Sequence, residues 1–334
     1  MTATGTREIR EVAEHALAWT DAHLAAFALG EDALSADGEV DHSWKPLGEL
    51  AQVCATVSHH TAPQDPLHTR AAAMLDFAWG QTGEGELFRH MQRLEPFATY
   101  PLEVYGAFAS AGYRHRAYEE AAAVVARTRS WWLTEQEPTR RLAVLSAEER
   151  SGIRRAPVEE LLPAGTWLAG RPEPWTFERD AGYAATHVVF HLTDWGRDPA
   201  GLPPALADYL HDWLPAWLDT CLEAGMWDLS CELLSVAATV PRLTGDPALG
   251  GAWERIRAAQ RPTGALPELE HHSGDTEAAG ADDDPHYFMN HYHSTLMAAF
   301  AAVLTTARPG GPAGEGTEGT GRKGPRHSGQ GAPA

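Results

Sequence analysis

Tyr183-Ala-Ala-Thr-His-Val-Val-Phe-His-Leu-Thr-Asp-Trp-Gly196 is the stretch on which the reading of this chain turns. Laid on a helix at about 100° per residue, His187, His191 and Asp194 fall within about 60° of one another, and Tyr183 joins them from one turn earlier. Ala185, Val189 and Leu192 take the opposite face. A surface helix carries Lys, Glu and Arg on its polar side. This one carries two imidazoles, a carboxylate and a phenol, the composition of a wall lining an enclosed polar space. Gly196 is expected to stop the helix.

Outward from that helix, the apolar spacing predicts helices over 8–29, 47–59, 67–81 and 86–94. Thr99-Tyr-Pro101 starts the next, with Thr99 as cap and Pro101 in the first turn. Further helices are expected over 116–132, from Pro138, and over 176–195, 205–223, 227–240, 253–260 and 285–306. Pro157, Pro163, Pro172 and Pro174 predict an extended crossing within 146–176, and 261–284 reads as a mobile loop. Residues 1–7 read as a flexible arm. The tail 307–334, dominated by Pro, Gly, Ser and charge, reads as disordered. Residues 8–306 are then a single all-α domain of antiparallel helical hairpins, with no alternating strand pattern. No repeat recurs at a solenoid's fixed period, and several helices have polar-aromatic inner faces, so the hairpins are expected to close into an α/α toroid.

A net charge of −20 over 334 residues argues against nucleic acid or an anionic membrane as partner. No apolar run reaches transmembrane length, the N-terminus lacks a signal-peptide pattern, and Cys54, Cys221 and Cys231 are too few and too scattered for a disulfide framework. A cytoplasmic protein is expected. There is no Gly-rich phosphate loop, no Gly-x-Ser-x-Gly elbow and no Cys-x-x-Cys pair.

Three faces carry candidate chemistry. On the first, His187 and His191 are four residues apart and present two imidazoles from adjacent turns, with Asp194 as a third ligand or an orienting carboxylate; a buried hydrogen-bonded cluster is the plainer alternative. On the second, Trp227-Asp-Leu-Ser-Cys-Glu-Leu-Leu-Ser235, Asp228, Glu232 and Ser235 share a side flanked by Cys231. There Asp228 could instead complement the helix dipole, and Cys231 could be a small core residue. On the third, Pro285-His-Tyr-Phe-Met-Asn-His-Tyr-His-Ser-Thr295, His286 and His293 lie two turns apart beside Met289 and Asn290, while His291 points elsewhere and is expected to be exposed. Glu103, between Tyr100 and Tyr105, is a candidate inward acid. His59-His60 reads as cationic charge on a helix C-terminus, Arg140-Arg141 as solvated, and Asp282–Asp284 as a solvated loop with a weak Mg²⁺-diphosphate alternative.

The strings Thr186-His187…Phe190…Leu192-Thr193-Asp194-Trp195-Gly196, Trp227-Asp228-Leu229 and Tyr292-His293-Ser294-Thr295 resemble an uncharacterised actinobacterial family found in natural-product gene clusters. The likeness covers the chain to about residue 306 and implies no established activity. Gln260-Arg-Pro-Thr-Gly264-Ala-Leu-Pro267, followed by Tyr292-His293-Ser294-Thr295, is similar to the hairpin pattern of the α/α-toroid superfamily, which includes protein prenyltransferase β subunits, lanthipeptide cyclases and class II terpene cyclases. By the prenyltransferase likeness, His293 would be a zinc ligand and Asp228 its partner. Asp228 and Cys231 are separated by two residues rather than one, which puts Cys231 outside the pattern. The Cys-His-Gly motif of lanthipeptide cyclases and the Asp-x-Asp-Asp motif of class II cyclases are missing.

The sequence expectation is thus an enzyme of specialised metabolism performing cyclisation, group transfer or hydrolysis on a small-molecule or peptide-like substrate. Zn²⁺ would be held by some of His187, His191, Asp194, Asp228 and His293 as Lewis acid, with Tyr183, Glu232 or Glu103 moving protons. The alternatives are a metal-free acid–base enzyme with the same His/Asp/Tyr face, and a non-catalytic helical binding or scaffold protein.

Overall fold

Helix α14 (Pro285–Thr306) contains an uninterrupted run of fully buried residues from Leu296 to Ala302, and nearly every residue of α12 (Trp227–Thr239) is buried. A helix buried on all sides has neighbours on all sides, and these two form the centre around which the chain is arranged. The computed structural model describes residues 3–30, 33, 43–153, 165–244, 246, 248–269 and 285–307. The other helices are α1 (Ala3–Ala22), α2 (Trp44–His60), α3 (Pro66–Gln81), α4 (Glu86–Leu94), α5 (Tyr100–Ser110), α6 (Arg116–Val125), α7 (Arg129–Trp132), α8 (Pro138–Arg150), α9 (Trp167–Gly170), α10 (Arg179–Leu192), α11 (Pro204–Glu223) and α13 (Ala248–Ala259). The protein is all-α. Among the described residues the one extended pairing is an isolated bridge between Met226 and Leu269.

Six helices touch in a cycle: α2 packs on α5, α5 on α8, α8 on α10, α10 on α12, α12 on α14, and α14 back on α2. Of the others, α1 packs on α14 and α3, α3 on α2, α4 on α5 and α6, α9 on α10, and α11 and α13 on α12. Large side chains fill the space between, among them Trp19, Trp44, Phe88, Phe108, Phe190 and Phe300, all less than about one-fiftieth exposed. Each such ring or branched chain removed from water contributes roughly 1.5–3 kcal/mol.

Local chemistry explains most boundaries. Asp65 accepts from Leu67 N at the start of α3, with Pro66 in the first turn, and Glu137 does the same for α8 through Thr139 N and Arg140 N. Several expectations shift. The first helix begins at Ala3 and ends at Ala22, giving way to a 3₁₀ turn over Leu24–Phe27. The stretch 116–132 is two helices, because Thr128 caps a new one by accepting from Trp131 N. Thr99 makes no side-chain cap; its hydroxyl donates to Glu135 at 2.8 Å. Residues 146–150 complete α8 rather than opening the crossing segment. The later part of that segment does cross, docking on α11 where Tyr209 donates to the Pro172 carbonyl and Trp217 to that of Pro174. The expectations for 270–284, including Asp282–Asp284, and for 308–334 fall outside the described residues.

One connection positions two of the chemistry-bearing helices. Residues 261–269 fold back so that Leu266 N donates to Thr295 Oγ1 at 2.9 Å and Ser294 Oγ donates to the Leu266 carbonyl, both on α14. Two residues on, Trp227 N at the head of α12 donates to the Glu268 carbonyl at 3.0 Å. Gln260 Nε2 ties the same turn to α1 through the Val12 carbonyl. Gly264 has φ +98°, and a Cβ there would stand 2.2 Å from the His15 carbonyl oxygen, so no other residue fits the turn.

Candidate functional site

Glu232, in the middle of α12, is 1 % exposed. A carboxylate so buried needs partners, and the neighbouring helices supply them. From α10, Thr186 Oγ1 donates to Oε2 at 2.5 Å, and His187 brings Nε2 to 3.7 Å from Oε1. From α14, His293 Nε2 lies 3.5 Å from the same Oε1, and its Nδ1 is 2.9 Å from Glu49 Oε2 on α2. Four helices thus contribute to one line, His187–Glu232–His293–Glu49. One turn up α10 and α12, Tyr183 donates its hydroxyl to Asp228 Oδ2, while the Arg179 guanidinium lies over the Tyr183 ring and pairs with Glu268.

The electrostatics follow from these partners. Burial alone would raise the Glu232 carboxyl, but the imidazoles of His187 and His293 outweigh it and pull it down to about 2. Burial likewise opposes the charge on His293; the carboxylates of Glu49 and Glu232, one at each ring nitrogen, reverse this and hold it well above the ordinary value. Glu49 is lowered in turn, burial against it and His293 for it. Asp228 is different: burial raises its carboxyl despite the Tyr183 hydrogen bond, and its Oδ1 is buried with no hydrogen-bond partner among the described residues. Burial and then Asp228 push the Tyr183 phenol up, so it stays protonated. His187 keeps 45 % of its side chain exposed, where Glu232 keeps 1 %. The line therefore runs from an open imidazole to a closed carboxylate.

The remaining sequence candidates lie elsewhere. Asp194 leaves the stripe because α10 ends at Leu192, with Thr193 as its C-cap: Asp194 and Trp195 take left-handed backbone angles, φ +46° and +56°, before Gly196 at +82°. Asp194 then pairs with Arg150 at 3.1 Å and Arg197 at 3.6 Å. His191 stays on the helix but is desolvated, and with His187 and Arg150 near it is pulled well below the ordinary histidine value. Glu103 pairs with Arg140, whose side chain is about half exposed, so it is not a lone inward acid. His60, expected as a cation, is held near 4 by burial and by His59. His291, expected to be exposed, is fully buried, stacked on Tyr287 with Nδ1 against that residue's carbonyl oxygen at 2.7 Å; His286 is the exposed one. Cys231 is a buried free thiol that burial pushes well up.

The five expected zinc ligands are thus divided between two places, and among the described residues no three His, Cys, Asp or Glu side chains are grouped to hold a metal ion. His293 has both ring nitrogens turned to carboxylates, Nδ1 to Glu49 and Nε2 to Glu232. No described helix is long and apolar enough to cross a membrane.

Sequence reasoning missed Glu49, Thr186 and Arg179. The signal for Glu49 is on α2, where Glu49, Gln52 and Thr56 recur at helical spacing in an otherwise apolar segment and are all largely buried.

An all-α protein with a His–Glu–His–Glu line across four helices is the class that fold and site define. The chain matches the family described as "Domain of unknown function (DUF6895)" over residues 13–303, and it belongs to that family. No curated protein and no solved structure matches it significantly.

Proposed function

We propose that this protein is a cytoplasmic acid–base enzyme of specialised metabolism, with His187 as the proton-transferring group and Glu232 as the carboxylate behind it. The observation that carries the reading is the half-open His187 imidazole with Nε2 directed at a carboxylate that is fully buried and anionic. A general base needs an accessible ring, and a fixed anion next to it stabilises the imidazolium formed when it takes a proton. His293 keeps Glu49 and Glu232 charged by sitting between them as a cation. Tyr183, held neutral and donating to Asp228, lines the same wall. A small-molecule or peptide-like substrate would meet His187 at the open end, and proton transfer there serves cyclisation, group transfer or hydrolysis. The donor set gives this metal-free reading more support than the zinc reading, because both ring nitrogens of His293 already face carboxylates and Asp194 is held by arginines.

The test uses protein purified without a His tag. Small-molecule and dipeptide libraries are screened for compounds that raise Tm, and those that do are followed by mass spectrometry for turnover. The expected result is turnover by the wild type that survives chelator and is lost in His187→Gln and Glu232→Gln with the fold intact. If no compound raises Tm, and His187→Gln lowers Tm as a buried structural residue would, the cluster is a structural network in a binding or scaffold protein.

A further inference from the structure

The outer side of α11 already holds one proline-containing strand. Pro172-Glu-Pro174 lies along the helix: Tyr209 donates its hydroxyl to the Pro172 carbonyl, and Trp217 its indole N–H to the Pro174 carbonyl at 2.9 Å. Glu173, between the two prolines, has φ −57° and ψ 124°, close to polyproline II. Aromatic-lined grooves that take extended proline-rich peptides work in this way. Tyr209, Trp213 and Trp217 follow one another at four-residue intervals on one side of α11. Trp217 is already covered: Phe177 stacks on it with ring centroids 4.6 Å apart, and Trp167 meets it edge-on at 5.7 Å. Trp213 is 40 % exposed, and Trp175, the residue after Pro174, is 80 % exposed, the highest value of any large apolar side chain among the described residues. The exposed charges beside them in sequence are Glu173, Glu178, Asp180 and Asp212 against Arg171, while Arg179 is taken by Glu268. Open indole rings next to carboxylates attract cations through both. The face therefore suits an extended, proline-containing, cationic strand.

The chain itself carries such a segment. After Glu318 no acid occurs, and Arg322-Lys-Gly-Pro-Arg326 sets three cations around one proline in a chain whose net charge is −20. Residues 308–334 contain no Val, Leu, Ile, Met, Phe, Tyr or Trp, so they cannot build a core and have only an extended backbone, prolines and charge to offer a surface. The reach is sufficient. Near its end α14 packs Leu304 on Gly196, eight residues before α11 begins at Pro204, and Trp213 lies about 14 Å along that helix. The fourteen residues 308–321 span up to roughly 50 Å when extended. We propose that Arg322–Arg326 docks on this face of its own molecule, with Pro325 against the Trp175 and Trp213 rings and the cations beside Glu173 and Asp212.

The experiment uses the full chain with a nitroxide label on Ser328→Cys; the native Cys54, Cys221 and Cys231 are buried and stay unlabelled. Indole N–H signals are read from a tryptophan-labelled NMR spectrum and assigned with Trp175→Phe and Trp213→Phe. The nitroxide should broaden the Trp175 and Trp213 signals until most of their intensity is lost. Trp132, equally open to solvent but with Arg141 over its ring, should stay sharp. Both signals should return when Arg322→Glu, Lys323→Glu and Arg326→Glu are combined, and also in about 0.5 M NaCl, which screens the ion pairs. Trp175→Ala, at a site too exposed to disturb folding, should recover the Trp213 intensity. The proposal is overturned if both signals stay sharp in the labelled wild type, if Trp132 broadens as much as they do, or if the triple variant or Trp175→Ala keeps the broadening. It is also overturned if a nitroxide on one copy broadens the signals of a second copy as strongly as its own, which puts the tail on a neighbour.

Discussion

Along one stripe of α10, Tyr183 and His187 face α12 while His191 and the downstream Asp194 face α8, and the two pairs have opposite electrostatics. Toward α12 the neighbours are the carboxylates of Asp228 and Glu232, and beyond them a protonated His293. Toward α8 they are the guanidiniums of Arg140 and Arg150, and His191 is held neutral. Two imidazoles one turn apart thus meet opposite fields, because burial removes the water that would screen a neighbour's charge and lets that neighbour decide. Arg150 itself is pulled down to about 10 by burial, with Asp194 opposing the shift.

The largest expected effect breaks the α12 side. His293→Leu leaves two carboxylates, Glu49 and Glu232, without the cation between them, and should cost about 3–5 kcal/mol of unfolding free energy, read from urea midpoints at pH 7. The same variant tests the linkage. Wild-type Glu232, lowered, contributes stability above its ordinary value of 4.5 that is lost as pH falls toward about 2. His293, raised, contributes stability that is complete below its ordinary 6.5 and is lost as pH rises through its own elevated value. Their combined contribution should therefore peak between those two ordinary values, and a midpoint-versus-pH profile of His293→Leu should lack that peak.

Breaking the α8 side should cost less. Arg150→Met removes one of two guanidiniums from Asp194 and a donor from Ser110, for a loss of about 1–3 kcal/mol, measured in the same way. Smaller still is His191→Leu, whose effect depends on pH. A lowered histidine contributes stability above 6.5 that is lost as pH falls, because the unfolded chain takes up the proton first. The variant's midpoint should gain on the wild type below that pH. The smallest change in stability is expected for His187→Gln, within about 0.5 kcal/mol for a half-open side chain. If instead it destabilises as much as Arg150→Met, the comparison between an open site and a closed pair collapses.

Much of the fold was legible. Apolar spacing located the helices, and Pro-led helix starts were visible because each has a local cause; 261–269, read as part of a mobile loop, is instead a fixed turn held by α14 and α1. The candidate site was only half legible. Tyr183, His187, Asp228, Glu232 and His293 could be picked out as polar groups on otherwise apolar helices, since a buried helix tolerates such residues only where partners wait. Asp194 was misplaced because its departure from the helix is a packing event: Trp195 stacks on Phe190 at 5.0 Å and lies 5.7 Å from Phe300 on α14, and its amide reaches back to the Phe190 carbonyl at 2.7 Å. Glu49 was passed over because its partner lies 244 positions away.

What the residues alone determined is the helical class and the need for polar neighbours along α10, both properties of periodicity and composition within short windows. The tertiary structure decided which acid meets which imidazole, and with it the charge of each. That choice depends on distances between helices remote in sequence, and Coulomb energies in a dry interior change steeply over a few ångströms.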